Sequence, residues 1–542
     1  MAVRELTWVP WVVALALGEM AGYGSGLGGR AASACTVLWA VLIFLRHTPA
    51  HLQRWQRIRQ SRLRWVGEAA LARWRRHHPG QRLLGYGSVW GTREAQRLHR
   101  WQAGSTPFAG MSPAVLAGRS RPLGIEARAG GGHMLVMGAP GTGKTQLFKL
   151  LALQAIDAGD AVVLLDPKGG RALRESLAAS AARVGRPYYQ LLPAEPTLSD
   201  RLDLLANGRD PAELASRLSR LIPAGENDNV FGQFAWMTLH RLVGALQALG
   251  EPVTLQCLNA HVADQGQALW HRFQAHPLPL DGAVQTGLSA LVQHDPAHYR
   301  KMVLALTPIL EMLAGGALGA LLSSSSQDRA TAPVRVNLAQ IVRQGGVLYA
   351  GLGALTDVAT SQALGALLLA DLAAVAGDRY RDDAAGPLVR LLVDEAAEIT
   401  NPAFIQMLNK GRECGVQVTF AVQTLADLEV AMGSEGAARM MLGNAGHWIA
   451  FRTLDAGSRL AWSERAGRVW ARLAGSSQQA QQGQGPAGRH RGRSAGRSEQ
   501  LREVSLVPEV LLSQLPDLHF MGLLEGRCVV GTIPLVRRGP DD

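Results

Sequence analysis

The sequence predicts an α/β fold with a largely parallel central sheet, interrupted by an all-α inserted domain and preceded by a two-helix hairpin. Three observations predict it. A short apolar run, a glycine-rich loop and an apolar helix follow one another over residues 133–156. Further apolar strand runs alternate with helical patterns towards the C-terminus, which is the signature of a sheet covered by helices. Between residues 211 and 327 the periodicity becomes helical throughout.

The strand–loop–helix unit carries the most specific signal. His133–Met137 reads as a buried strand and Gln146–Ile156 as the helix behind it. Between them lies Gly138-Ala139-Pro140-Gly141-Thr142-Gly143-Lys144-Thr145, followed by Gln146. Backbone amides of such a loop and of the helix start cradle phosphates, a lysine adds a point charge, and a threonine hydroxyl binds magnesium. The predicted ligands are therefore ATP and Mg2+. Val393 ends an apolar strand that delivers two carboxylates, Asp394 and Glu395. Asp394 is expected to organise the metal with Thr145, and Glu395 to orient or activate the attacking water.

Other strand candidates are Ala161–Leu165, Gly346–Ala350, Val416–Ala421, His447–Phe451 and Arg527–Gly531. Helices are expected at Thr360–Leu372 and Pro402–Arg412. Gln423, at the end of one strand run, suits a sensor because its amide both donates and accepts. Arg412 has two readings, a trans-acting finger that stabilises transition-state charge or a surface arginine. Asp166 and Lys168, in Asp166-Pro-Lys-Gly-Gly170, also have two, a nucleotide element or a salt-bridged turn.

The hairpin is read from two apolar stretches, Leu6 to about Gly18 and Ala31 to Leu45, with aromatic residues at their ends. Residues 46–79 then hold arginines 46, 54, 57, 59, 62, 64, 73, 75 and 76 against the single acid Glu68. That polarity places the arm, and both ends of the hairpin, on the cytoplasmic side. Residues 51–76 are expected to form a basic helix that rests on anionic lipid or, in a second reading, meets nucleic acid.

The inserted domain is expected to contain helices Ala212–Leu221, Phe231–Leu249 and Tyr299–Leu313, with Phe231, Phe234 and Trp236 mainly in its core and Ser323–Ser326 as a return turn. Residues 474–500 lack apolar periodicity and are expected to be disordered, with Arg489, Arg491, Arg493 and Arg497 solvated or in transient contact with nucleic acid. A net charge of +12 makes polyanions plausible partners. Cys35, Cys257, Cys414 and Cys528 are too widely spaced for a zinc or disulfide framework.

Taken together these residues resemble the coupling proteins of bacterial type IV secretion and conjugation, the TraD/TraG class. The resemblance rests on the hairpin, Tyr86-Gly-Ser-Val-Trp-Gly-Thr92, Gly138–Thr145, Asp166-Pro-Lys-Gly169, the helical insertion, Leu391–Glu395, Gly411-Arg412, Gln423, Val507-Pro508 and Leu515-Pro516. It implies a RecA-like P-loop NTPase core in a multi-pass protein of the bacterial inner membrane, its motor cytoplasmic. It also implies a homo-hexamer that hydrolyses ATP to move DNA, received with a relaxase, towards the secretion channel. The insertion would then recognise DNA or its protein complex. Two other functions stay open: a membrane receptor using ATP for assembly only, and a chromosome-segregation-type translocase. The organisation expected is a hairpin at 1–46, a basic arm at 47–80, a nucleotide-binding domain at 81–204, 329–473 and 501–542, the all-α domain at 205–328 and the low-complexity tract at 474–500.

Overall fold

The computed structural model describes residues 64–103, 119–127, 132–222, 228–276, 281–322, 335–354, 356–382, 386–485 and 488–537. The expected membrane hairpin, most of the basic arm and the Ser323–Ser326 turn lie outside the described residues.

Eleven strands form the central sheet. In chain order they are β1 (Gln81–Val89), β2 (Arg121–Glu126), β3 (His133–Met137), β4 (Ala161–Asp166), β5 (Tyr188–Leu191), β6 (Val347–Gly351), β7 (Val389–Val393), β8 (Val416–Val422), β9 (Ala445–Ala450), β10 (His519–Leu524) and β11 (Arg527–Thr532). Their spatial order is β2-β1-β11-β10-β9-β3-β8-β7-β4-β6-β5. The seven strands from β9 to β5 pair in parallel, and the other four join antiparallel. Strands β3, β4, β6 and β7 are buried along their whole length. That is why they read as continuous apolar runs and not as alternations. All parallel strands direct their C-terminal ends to one edge of the sheet, where loops converge.

The antiparallel flank was largely invisible in the sequence. Strand β1 carries Gly85 and Gly87, which weaken a strand signal, yet both are required by packing. A Cβ on Gly87 would stand 2.0 Å from the Val530 carbonyl oxygen of β11. Gln154, inside the helix Lys144–Ala158, fastens this flank by donating to Leu83 O and accepting from Leu83 N.

Between Pro211 and Leu322 the described residues are helices and their connections, entered and left through the short parallel pair Arg201–Leu202 and Arg335–Val336. The single helix expected at Tyr299–Leu313 is instead two, Pro296–Met302 and Thr307–Ala314. Pro308 explains the break, because it lacks an N–H and fits only the first turn of a helix. Trp236 donates to Ser216 Oγ at 2.8 Å, and Phe234 packs on Tyr299, so these aromatics serve the domain's interior. A buried ion pair, Arg217 Nη1 to Asp371 Oδ1 at 2.7 Å, ties the helical region to the helix Val358–Arg381. By length and composition that helix is the one candidate membrane span among the described residues. However, 61% of its most apolar window is buried inside the protein, which gives it the character of a core helix.

Two expectations are corrected. Residues 65–77 do not form one helix lying on a membrane. Trp65–Gly67 pairs with Leu535–Arg537, and the helix Glu68–His77 buries Leu71 and docks through Arg75–Asp157 and Glu68–Arg183 pairs. The apolar residues of this stretch thus serve the motor. The tract at 474–500 is not disordered either: Arg468–Gly485 and Gly488–Ser505 pair as a long antiparallel ribbon. Its composition offers no apolar core, and the pairing is carried by the main chain.

Candidate nucleotide site

The loop after β3 turns on glycines with positive φ, 157° at Gly138, 76° at Gly141 and 129° at Gly143. At Gly138 a Cβ would also meet Phe451 Cβ at 2.8 Å. The following helix, Lys144–Ala158, has no side-chain cap and no acid in its first turn. Its first amides and the positive end of its dipole therefore remain available to an anion. Lys144 is buried, and its Nζ donates to the loop carbonyls of Gly138 at 2.6 Å and Ala139 at 3.3 Å. Burial lowers the affinity of this amine for its proton, while Asp394 and Glu395 oppose the shift.

Strand β8 lies between β3 and β7, so the end of β8 separates the phosphate loop from the two carboxylates. The structure brings the expected residues together there. Thr145 Oγ1 donates to Asp394 Oδ2 at 3.4 Å. Asp394 is buried, and its carboxyl is raised by that burial and by the charge of Asp166. A carboxylate and a hydroxyl converging in this way fit the magnesium ligands expected of them. Glu395 adopts φ 45°, ψ 53°, a left-handed conformation that costs a non-glycine residue about 1–2 kcal/mol. Gln423 Nε2 donates to Glu395 Oε1 at 3.0 Å.

Sequence reasoning missed two partners of Glu395. Lys168 does not pair with Asp166; its Nζ reaches Glu395 Oε1. Asp166 instead shapes the turn, accepting from Lys168 N at 2.9 Å, Gly170 N at 2.8 Å and the Tyr349 hydroxyl at 2.7 Å. The available signal was strand order: β4 and β7 are neighbours, with Leu165 opposite Val393, so the residues after each strand meet. The second partner is Glu398. Burial would raise the Glu395 carboxyl, but hydrogen bonding and charge from Lys168, with Glu398 and Gln423, hold it below the usual range. Burial and the neighbouring Glu395 push Glu398 up to about 7.

Arg412 is not part of this constellation. It is exposed at the N-terminal edge of β8, where its charge acts on buried His133 at the start of β3. A strand of seven residues separates it from Gln423, or roughly 23 Å at 3.3 Å per residue. Arg412 therefore stands away from the phosphate loop of its own chain.

A family model described as the TraM recognition site of TraD and TraG matches residues 388–517, a span that starts at β7 and includes Asp394, Glu395 and Gln423. The fold is similar to the bacterial conjugative coupling protein TrwBdeltaN70 in its unbound monoclinic form. That likeness has 16% identity and a TM-score of 0.52 over 84% of this chain and 95% of the other. The chain has the fold of TrwB, and over residues 388–517 it is similar to TraD and TraG. A second TrwB structure, in complex with ADP and Mg2+, gives 16% identity and a TM-score of 0.53 over 85% of this chain and 96% of that one. No curated protein sequence matches this chain.

Proposed function

We propose that this chain is an ATP-hydrolysing coupling protein that moves DNA, received with a relaxase, towards a type IV secretion channel at the bacterial inner membrane. The observation that carries the reading is the edge-on arrangement of Lys144, Thr145, Asp394, Glu395 and Gln423 at the ends of β3, β7 and β8. This chemistry suits nucleotide hydrolysis. The solved TrwB structures with ADP and Mg2+ and with a non-hydrolysable GTP analogue support the choice of ligand class.

In this reading the loop amides and Lys144 bind the β- and γ-phosphates, with Lys144 exchanging the Gly138 and Ala139 carbonyls for phosphate oxygens. Magnesium, when bound by Thr145 and Asp394, neutralises charge on the phosphates. Glu395 orients the attacking water and takes its proton, for which its Oε1 must first be released by Lys168. Gln423, already on that oxygen, reports the change to β8.

Hexamer formation, membrane anchoring through residues 1–46 and lipid contact by the arginine-rich residues before Trp65 belong to the same proposal and rest on the sequence. Arg412 acts in this reading on the nucleotide of a neighbouring subunit, because it stands apart from its own. Glu395→Gln tests the function: nucleotide should bind and persist while DNA transfer to recipient cells stops. Undiminished transfer would favour the receptor that uses ATP for assembly only.

A further inference from the structure

At the sheet edge opposite the phosphate loop, a cavity of about 200 Å³ lies among the helix Glu68–His77, the start of β1 and the starts of β4 and β7. Its lining includes three guanidiniums, Arg75, Arg82 and Arg390, but only two carboxylates, Asp157 and Asp160. Arg82 and Arg390 are 7% and 4% exposed, and both donate to one oxygen, Asp160 Oδ2. Arg390 Nη2 donates to Ala127 O, and Nη1 has no hydrogen-bond partner among the described residues. Arg75 is more exposed and is held by Asp157, which also receives Arg183.

Two buried guanidiniums on one carboxylate oxygen leave a positive charge without a counterion among the described residues, where solvent screens it little. The stress is visible in both groups. Burial lowers Arg82, and burial together with the charge of Arg82 pushes Arg390 down to about 10. An internal water could satisfy Arg390 Nη1 but would supply no charge. An oxyanion supplies both, and the planar forks of arginine match its geometry.

We propose that this cavity is a second oxyanion site, distinct from the nucleotide loop, that takes a phosphate mono- or diester group on Arg390, Arg82 and Arg75. The helix lining it is separated from the arginine-rich residues 46–64 by the short strand Trp65–Gly67 alone, so the phosphate of an anionic lipid headgroup and a soluble phosphate both meet the required chemistry. The site also stands at the far end of the helix Lys144–Ala158, which begins at the phosphate loop and spans roughly 22 Å at 1.5 Å per residue.

The test uses the full chain in neutral detergent with Lys144→Ala, which silences the phosphate loop. Calorimetric titration with inorganic phosphate, against chloride at matched ionic strength, should show saturable binding. Arg390→Met should weaken it by about tenfold or more, as loss of a charged hydrogen bond does. That substitution leaves a one-to-one Arg82–Asp160 pair. Arg75→Gln, at the more exposed side, should weaken binding in the same direction and guards against a folding defect in the first variant. A parallel arm in nanodiscs compares phosphatidylglycerol with phosphatidylcholine by the protection of Arg75 and Arg390 from arginine-selective labelling. Protection by phosphatidylglycerol alone assigns the site to lipid, and binding of inorganic phosphate alone assigns it to a soluble ligand. Absence of both, or phosphate binding unchanged in both arginine variants, overturns the proposal.

Discussion

At the scale of single residues, Lys168 stands at the centre of the candidate site. Its ammonium occupies the Glu395 oxygen that would receive a proton from water, and it holds that carboxyl below its usual range. Lys168→Met should therefore raise DNA-independent hydrolysis, by up to about fivefold for a half-exposed ion pair. Steady-state turnover without DNA checks this, and a fall in rate would assign Lys168 to the phosphates instead. His133 offers a second residue-scale test. It is fully buried, accepts from Val418 N at 3.0 Å through Nδ1, and is held down to about 4 by burial and the charge of Arg412. The folded state thus resists a proton that the unfolded chain takes up near pH 6.5. This contribution is intact above pH 6.5 and is lost as pH falls towards 4, by at most about 1.4 kcal/mol per unit. His133→Asn keeps an acceptor for Val418 N and should flatten the slope of urea-unfolding stability over that interval.

At the scale of elements, close approach decides the antiparallel flank. Gly87→Ala drives a methyl into the Val530 carbonyl, so β1 and β11 must separate, at a cost of about 1–3 kcal/mol in urea unfolding. The long ribbon is attached differently. Its base is fixed by Gln96 Nε2 donating to Arg472 O at 2.9 Å and by buried Ala471, whereas the nucleotide site lies on other strands. Deleting residues 476–497 and closing the turn should leave hydrolysis within about twofold of the parent while reducing the salt-sensitive part of DNA association. A comparable loss of hydrolysis would make the ribbon part of the motor.

Over the whole molecule, legibility followed locality. The loop Gly138–Thr145 and the pair Asp394-Glu395 could be read because each is a contiguous string ending a fully buried strand. Gln423 could be placed because its strand ends immediately before it. Lys168 and Glu395 are joined across 227 positions by the neighbouring ends of β4 and β7, which no local pattern encodes. The same holds for β1, whose glycines serve a strand contributed by residues 527–532. The ribbon leaves no apolar pattern because its pairing uses backbone alone, and Pro308 interrupts a helical periodicity that otherwise runs through it. Hydrolysis at the convergence of β3, β7 and β8 is probed by ATP turnover of the purified full chain, with and without DNA, beside Glu395→Gln. DNA-stimulated turnover in the parent and bound, unhydrolysed ATP in the variant are expected; equal turnover by the two proteins would place hydrolysis elsewhere.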